Sequence, residues 1–353
     1  MDTKVIDFSG TNIYAGLDVH KKSWHVTILT DELEHKTFSQ PPEPIVLSNY
    51  LHKHFPGANY YSAYEAGFSG YVHHRELLNH GIENIVVNAA DVPNTNKELT
   101  TKTDKVDSRK IAKGLRSKML HPIHVFDRVH EEYRNLSRQR HIFQRDLRRY
   151  KQRIKSFLLY YNLHIPEDIE AASWNLDLEA WLKAIEMETE NGQVVLSNLL
   201  EGYLFHKQQV RCLSNELRKR TRKQHKQDYY LLRSIPGIGP LTAITIIAEI
   251  KEMQRFSSID KLSSFVGLMP MSYSSGQTER IGGITYRSNT YLRTMIIESS
   301  WQAIRLDPAM LYYYKKHLGR GNSKKAIVKV ARKLLSRIRY VMINKEPYEI
   351  GIK

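Results

Sequence analysis

Cysteine occurs once in the 353 residues, at Cys212. A single thiol excludes an intramolecular disulfide and any thiolate-rich zinc site within one chain. No run approaches the roughly 18 apolar residues that mark a membrane-spanning helix. The opening stretch MDTKVIDFSGTNIYAG lacks the basic start and apolar core of a signal peptide, so a cytoplasmic protein without a membrane role is expected. The Gly/Pro-rich stretch IPGIGPLTA lacks the GKS/T ending of a Walker loop, which leaves nucleotide hydrolysis without support. Acidic residues are the scarcer charge. Asp and Glu number 37 against 53 Lys and Arg, a net charge of +16. That surplus favours a polyanionic partner. The basic segments show no broad apolar face bordered by Trp or Phe, which favours nucleic acid over a lipid surface. The 16 histidines are scattered, and pairs such as His73 and His74 fall outside metal-ligand spacing. They read as surface or contact residues.

A hydrophobic share of 41% is enough for two or three ordinary cores. Residues 12–30 read as two strands around a short polar connection, the first apolar up to Asp18 and the second alternating through Trp24, Val26 and Ile28. A helix is predicted over 45–54, a tyrosine-rich strand over 59–65, a helix over 68–80, a strand at IENIVVNA and a helix over 105–116. This is a mixed α/β layer. From 128 to 162 the pattern changes. Leu136, Phe143, Leu147, Tyr150, Ile154 and Phe157 form a helical apolar seam, and nine Arg or Lys face three acids between 131 and 160. After a less periodic insert with Pro166, Trp174 and Trp181, a second long helix is predicted over 193–226. The pair suggests an antiparallel hairpin, for spacing, dimerisation or nucleic-acid backbone binding. A mostly helical region follows, with helices near 260–268, 290–305 and 323–343 and a flexible Gly/Ser-rich segment at 272–290. Asn322 or Ser323 is the expected cap of the last helix.

Four carboxylates are candidates for one site. Asp18 and Glu65 end strands of the same domain, while Asp104 and Asp107 in KTDKVDS share one helix face by their spacing. Four carboxylates meeting at a point repel unless cations neutralise them. Divalent metal, two Mg²⁺ ions, is the expectation, suited to phosphoryl transfer. Each acid taken singly has an ordinary structural explanation: a helix dipole, a turn cap or a surface position. IPGIG resembles a helix-hairpin-helix loop, whose backbone N–H groups near Gly237 and Gly239 could hold a DNA phosphate. In YSSGQTERIGGITYRSNTYLR, Ser274 and Ser275 precede Gly276, and Arg280, Arg287 and Arg293 are candidate phosphate contacts. Sequence shows no base beside either serine.

Taken in order, AGLDVHKKSWHV, YEA, KTDKVDS, IPGIG, FVGLMP, YSSG and NTYLR resemble the DEDD transposases of the bacterial insertion-sequence 110 family, across nearly the whole chain. The resemblance implies an RNase H-like (RuvC-like) domain over 10–125, a basic coiled-coil region over 126–228 and a C-terminal transposase domain over 229–345. It implies Asp18, Glu65, Asp104 and Asp107 as metal ligands, and Ser275, with Ser274 as runner-up, as a nucleophile forming a serine–DNA intermediate. It implies donor and target DNA, a structured noncoding guide RNA, homodimers pairing into a tetramer, and action at the nucleoid. One departure stands out: ITYRSN places Tyr286 and Ser288 where the family pattern has lysine and glycine. The expected function is thus an RNA-guided DNA recombinase that moves its own element. Its rivals are a RuvC-like structure-specific endonuclease and a non-catalytic nucleic-acid scaffold.

Overall fold

The computed structural model describes residues 7–93, 103–169, 174–275, 278–285, 288–319 and 322–351, with the backbone alone for 271–281. The chain divides into two compact units, Met1–Phe126 and Asp127–Lys353.

The first unit runs β1 (Asn12–Val19), β2 (Trp24–Leu29), β3 (Glu34–Gln40), α1 (Pro44–His54), β4 (Asn59–Glu65), α2 (Val72–Asn79), β5 (Glu83–Val87) and α3 (Asp104–Arg116). The sheet order is β3-β2-β1-β4-β5. Strands β1 to β3 form an antiparallel meander, while β4 and β5 add parallel to β1. This order and polarity are those of the RNase H-like, RuvC-like sheet. Alternation along the strands sends Ile13, Ala15, Leu17, Trp24, Val26 and Ile28 to one face, where they pack with Leu47 and Leu51 of α1 and Leu77 of α2. Burying side chains of this size contributes on the order of 2 kcal/mol each. The opposite face is narrower, with Ala63 and Val87 meeting Ile111 of α3. Gly16 is required there: a Cβ on it would lie 2.3 Å from the Ala112 nitrogen of α3. Strand β3 was not anticipated. It is a largely exposed edge strand whose polar residues carry little alternation.

The second unit begins with α4 (Arg128–Tyr160), whose N-terminus is capped by Asp127 accepting from the His130 N–H at 2.9 Å. Then come α5 (Leu176–Ala184), α6 (Glu190–Gln224), α7 (Lys226–Arg233), α8 (Pro240–Ile250) and α9 (Ile259–Val266). Strands β6 (Pro270–Ser275) and β7 (Thr278–Ile284) follow, then α10 (Thr290–Leu306), α11 (Pro308–Leu318) and α12 (Ser323–Asn344). Helices α4 and α6 are antiparallel, as expected. Tyr150 sits on Gly202, Arg140 Nε donates to Ser214 Oγ at 2.7 Å, and Tyr133 and Thr221 share a 2.6 Å hydrogen bond. Gly202 makes this approach possible, since a Cβ there would fall 2.2 Å from the Tyr150 ring. The α5 insert packs on the hairpin through Leu178 and Leu182. Around α8, α10 and α12 a larger core gathers Ile244, Ile247, Ile296, Val330 and Leu334. Asn322 caps α12, accepting from the Lys325 N–H at 2.9 Å.

One expectation is corrected in this unit, and one helix is added to those expected. The segment 272–290 is not a flexible loop throughout: β6 and β7 pair antiparallel, with Ser274 opposite Glu279 and Ser275 opposite Thr278. Helix α11 was not read; Pro308 at its first turn and Asp307, which accepts from the Ala309 N–H at 2.9 Å, start it directly after α10. Among the described residues no helix is long and apolar enough to cross a membrane.

Candidate active site

The acidic residues gather at the edge of the first unit's sheet where the parallel strands β1 and β4 end. Asp18 on β1 pairs with His25 on β2, and Gly16 pairs with Thr27. Paired and alternate strand residues share a face. Asp18 and His25 therefore lie on the side of Gly16 and Thr27, the side covered by α3, where Thr27 Oγ1 and Ser108 Oγ are 2.9 Å apart. On α3 the residues Asp104, Asp107, Ser108 and Ile111 recur at helical spacing along the sheet-facing side. The first turn of α3 thus brings Asp104 and Asp107 to the end of β1. Carboxylates are also favoured there by the helix dipole. In the parallel β1–β4 register Gly16 stands opposite Ala63 and Leu17 opposite Tyr64. Glu65 takes the next place, beside Asp18.

The contacts are specific. His20 Nε2 lies 3.1 Å from Asp18 Oδ2 and 3.7 Å from Asp104 Oδ1, and His25 Nδ1 lies 3.5 Å from Asp104 Oδ2. Asp107 Oδ1 accepts from Lys110 Nζ at 3.0 Å. Burial raises the pKa of the Asp18 carboxyl; the His20 contact opposes that, and the charges of Asp104 and Asp107 push it further up. Asp18 is therefore a carboxylate whose ionised form gains from an added cation.

One donor atom from each of Asp18, His25 and Asp104 lies within 4.8 Å of the others, so these residues could hold a metal ion. The fit has independent support: His25 Nδ1 is buried without a hydrogen-bond partner. Of the four expected acids, Asp18 and Asp104 meet in this cluster. Asp107 lies within electrostatic range of Asp18, and Glu65 adjoins by register but is not among the three clustered donors. The scattered histidines read as surface or contact residues, and the fold brings two of them, His20 and His25, against the acids. The available signal was the tight hairpin DVHKKSWH, whose strand pairing returns position 25 to position 18.

The candidate phosphate contacts fare differently. Gly237, at φ +89°, sits in the turn between α7 and α8, where a Cβ would fall 2.5 Å from the Ser299 carbonyl oxygen of α10. This glycine is explained by helix packing. Gly239, the residue before α8, has open space around its Cβ position. Arg293 Nη1 donates to the Thr285 carbonyl at 2.7 Å, tying α10 to the end of the β6–β7 hairpin. Arg287 and Tyr286 lie outside the described residues, as do the side chains of Arg280, Ser274 and Ser275.

Comparison with known proteins returns bacterial transposases. Residues 229–315 match the family model described as Transposase IS116/IS110/IS902 family. Residues 15–163 match a DEDD transposase model of the IS110 type. The candidate transposase y4qE of Sinorhizobium fredii is 28% identical over 241 residues, covering 68% of this chain and 58% of that protein. The transposase for insertion sequence element IS1111A of Coxiella burnetii is 32% identical over 130 residues, 35% of each chain. The transposase for insertion sequence element IS1533 of Leptospira borgpetersenii is 23% identical over 247 residues, 69% of this chain and 70% of that one. The matched stretches thus span less than two thirds of y4qE and of the IS1111A transposase.

These findings correct the expected chemistry. The DEDD match over the acidic unit and the metal-competent cluster support a metal-dependent RuvC-like mechanism, with which a serine–DNA covalent intermediate is inconsistent.

Proposed function

We propose that this chain, which belongs to the IS110 family of bacterial insertion-sequence transposases, cleaves and joins DNA strands by metal-dependent phosphoryl transfer at its N-terminal acidic edge. The observation that carries this reading is the convergence of Asp18, His25 and Asp104 beneath the N-terminus of α3. Asp18, Glu65, Asp104 and Asp107 are the proposed holders of Mg²⁺, two ions by preference. Bound there, the metal would supply Lewis-acid stabilisation for the charge that develops on phosphoryl oxygens.

The chain's own residues supply the positioning. Strand β1 fixes Asp18, α3 fixes Asp104 and Asp107 as one rigid pair, and Lys110 holds Asp107 in place through its 3.0 Å contact. His20 bridges Asp18 and Asp104.

Donor and target DNA are the proposed partners, and the net charge of +16 supports a phosphate-binding surface. A structured noncoding guide RNA and pairing of homodimers into a tetramer are part of the same proposal, supported by family membership. So are an action at the bacterial nucleoid and the three-part division at 125 and 228. The RuvC-like unit would equally serve a structure-specific endonuclease, which shares the cleavage step and lacks rejoining. Incubating the full chain and its copurified RNA with element-end and target DNA, with Mg²⁺ or with EDTA, separates the readings. Joined strands that require metal support the transposase, cleaved strands alone the endonuclease. Neither product in metal refutes both.

A further inference from the structure

His25 is the one member of the donor cluster that is not a carboxylate. It is held on β2, paired directly with Asp18 on β1, and is anchored in the strand by its neighbour Trp24, whose fully buried indole packs on the opposite face, edge-on against His73. The neighbouring strand positions leave it little freedom, because Thr27 on the same face is hydrogen-bonded to Ser108. Its Nδ1 points to the Asp104 carboxylate at 3.5 Å, yet that atom is buried and makes no hydrogen bond. A buried imidazole nitrogen left unsatisfied is costly, and such groups call for a role beyond packing. Two donors each about 2.1 Å from a small divalent ion stand about 3.0 Å apart when adjacent and about 4.2 Å apart when opposite. The 3.5 Å between His25 Nδ1 and Asp104 Oδ2 lies inside that interval.

We propose that His25 is a nitrogen ligand of the metal site and sets its preference, favouring Mn²⁺ over Mg²⁺ relative to an all-carboxylate site. Mg²⁺ is a hard ion that favours oxygen donors and dehydrates reluctantly, whereas Mn²⁺ opens the transition-metal series and accepts an imidazole nitrogen beside carboxylate oxygens more readily than Mg²⁺ does. The proposal rests on the metal-dependent reading above. His20 is distinguished from His25 by its setting: it is half exposed and already engages both carboxylates, so it can swing clear when a cation arrives.

The test uses the full chain and the metals alone. Mn²⁺ bound to the protein is examined by electron spin-echo modulation, which detects a nitrogen directly coordinated to the ion. Mn²⁺ and Mg²⁺ affinities are measured by calorimetry. The wild type is expected to show nitrogen modulation that vanishes in His25→Gln and persists in His20→Gln. The ratio of Mn²⁺ to Mg²⁺ affinity is expected to fall about tenfold in His25→Gln, with Mg²⁺ binding and the melting temperature little changed. Asp18→Asn should weaken both ions alike. Nitrogen modulation and selectivity that survive His25→Gln, or that vanish in His20→Gln, overturn the assignment while the carboxylate site stands. Absence of Mn²⁺ binding at millimolar concentration in the wild type overturns both.

Discussion

Gly16 on β1 and Ser108 on α3 approach so closely that a Cβ at position 16 would lie 2.1 Å from the Ser108 carbonyl oxygen. The obstacle is helix backbone, which cannot rotate aside, so any side chain at 16 must lift α3 from the sheet. Gly16→Ala is expected to destabilise the first unit by about 3 kcal/mol, the upper range for overpacking. Because α3 carries Asp104 and Asp107 while β1 carries Asp18, the same change should weaken metal binding at least about tenfold. Chemical denaturation and Mn²⁺ calorimetry on one preparation read both. An unchanged midpoint would mean that α3 is not seated on Gly16.

The two glycines of IPGIG make opposite demands. Gly237 combines φ +89° with a close approach to α10, whereas Gly239 has ordinary φ and open space. Gly237→Ala is expected to cost about 2 kcal/mol or more, and Gly239→Ala less than about 0.5 kcal/mol. Equal losses in a denaturant titration would argue against the packed turn.

Glu249 on α8 is a buried anion on which the second unit converges. Its carboxylate accepts from Arg138 Nε at 2.7 Å, Arg134 Nε at 3.1 Å and Asn289 Nδ2 at 2.7 Å. Burial raises the Glu249 pKa, but the Arg138 hydrogen bond and charge, with Arg134 and Asn289, hold it below the usual carboxylate range. Glu249→Gln leaves two guanidiniums without their counter-charge. A loss of about 3 kcal/mol is expected, the lower end for a broken buried pair because both arginines keep some solvent contact. A melting temperature within a degree or two of wild type would contradict this.

His141 predicts how stability varies with pH. Burial and the neighbouring Arg140 charge depress its pKa to about 4. The unfolded chain, with an ordinary histidine pKa near 6.5, binds more protons than the folded one between these values. Stability should therefore fall as pH drops from about 6.5 to about 4. Glu249 adds a loss at lower pH, because its depressed pKa favours the folded state only while the carboxylate stays ionised. Burial also depresses His130 and His225, so His141→Gln should reduce the slope of the stability profile between pH 6.5 and 4 without abolishing it, and leave the acid limb in place. A variant profile parallel to wild type across that window would exclude His141 as the source.

The strands carrying Asp18 and Glu65 were legible because both faces of a central sheet are buried and leave apolar runs with clear ends. The helix over 105–116 was legible as an element, and its i, i+3 spacing then put Asp104 and Asp107 on one face. Strand β3 was not, since an exposed edge needs little hydrophobic alternation. The β6–β7 hairpin was hidden by glycine and serine, residues whose intrinsic preference is for turns. Of the site, the acids declared themselves as residue types, while His25 did not. Its role depends on antiparallel register, a pairing between positions that no local periodicity records. Arg293 likewise depends on the fold: its Nη1 donates to the Thr285 carbonyl, a contact that no local pattern records.

The central claim is that Asp18 and Asp104 act together at a metal-dependent site, and strand cleavage in paired variants tests it most directly. Cleavage rates on element-end DNA would be measured for wild type, Asp18→Asn, Asp104→Asn and the double variant, with Mg²⁺ and with EDTA. Folding would be checked by melting temperature. The account predicts no cleavage in EDTA, a fall of at least about a hundredfold in each single variant, and little further loss in the double variant, as expected of residues acting as one unit. Cleavage that persists in EDTA, or in a folded Asp18→Asn protein at the wild-type rate, would contradict it.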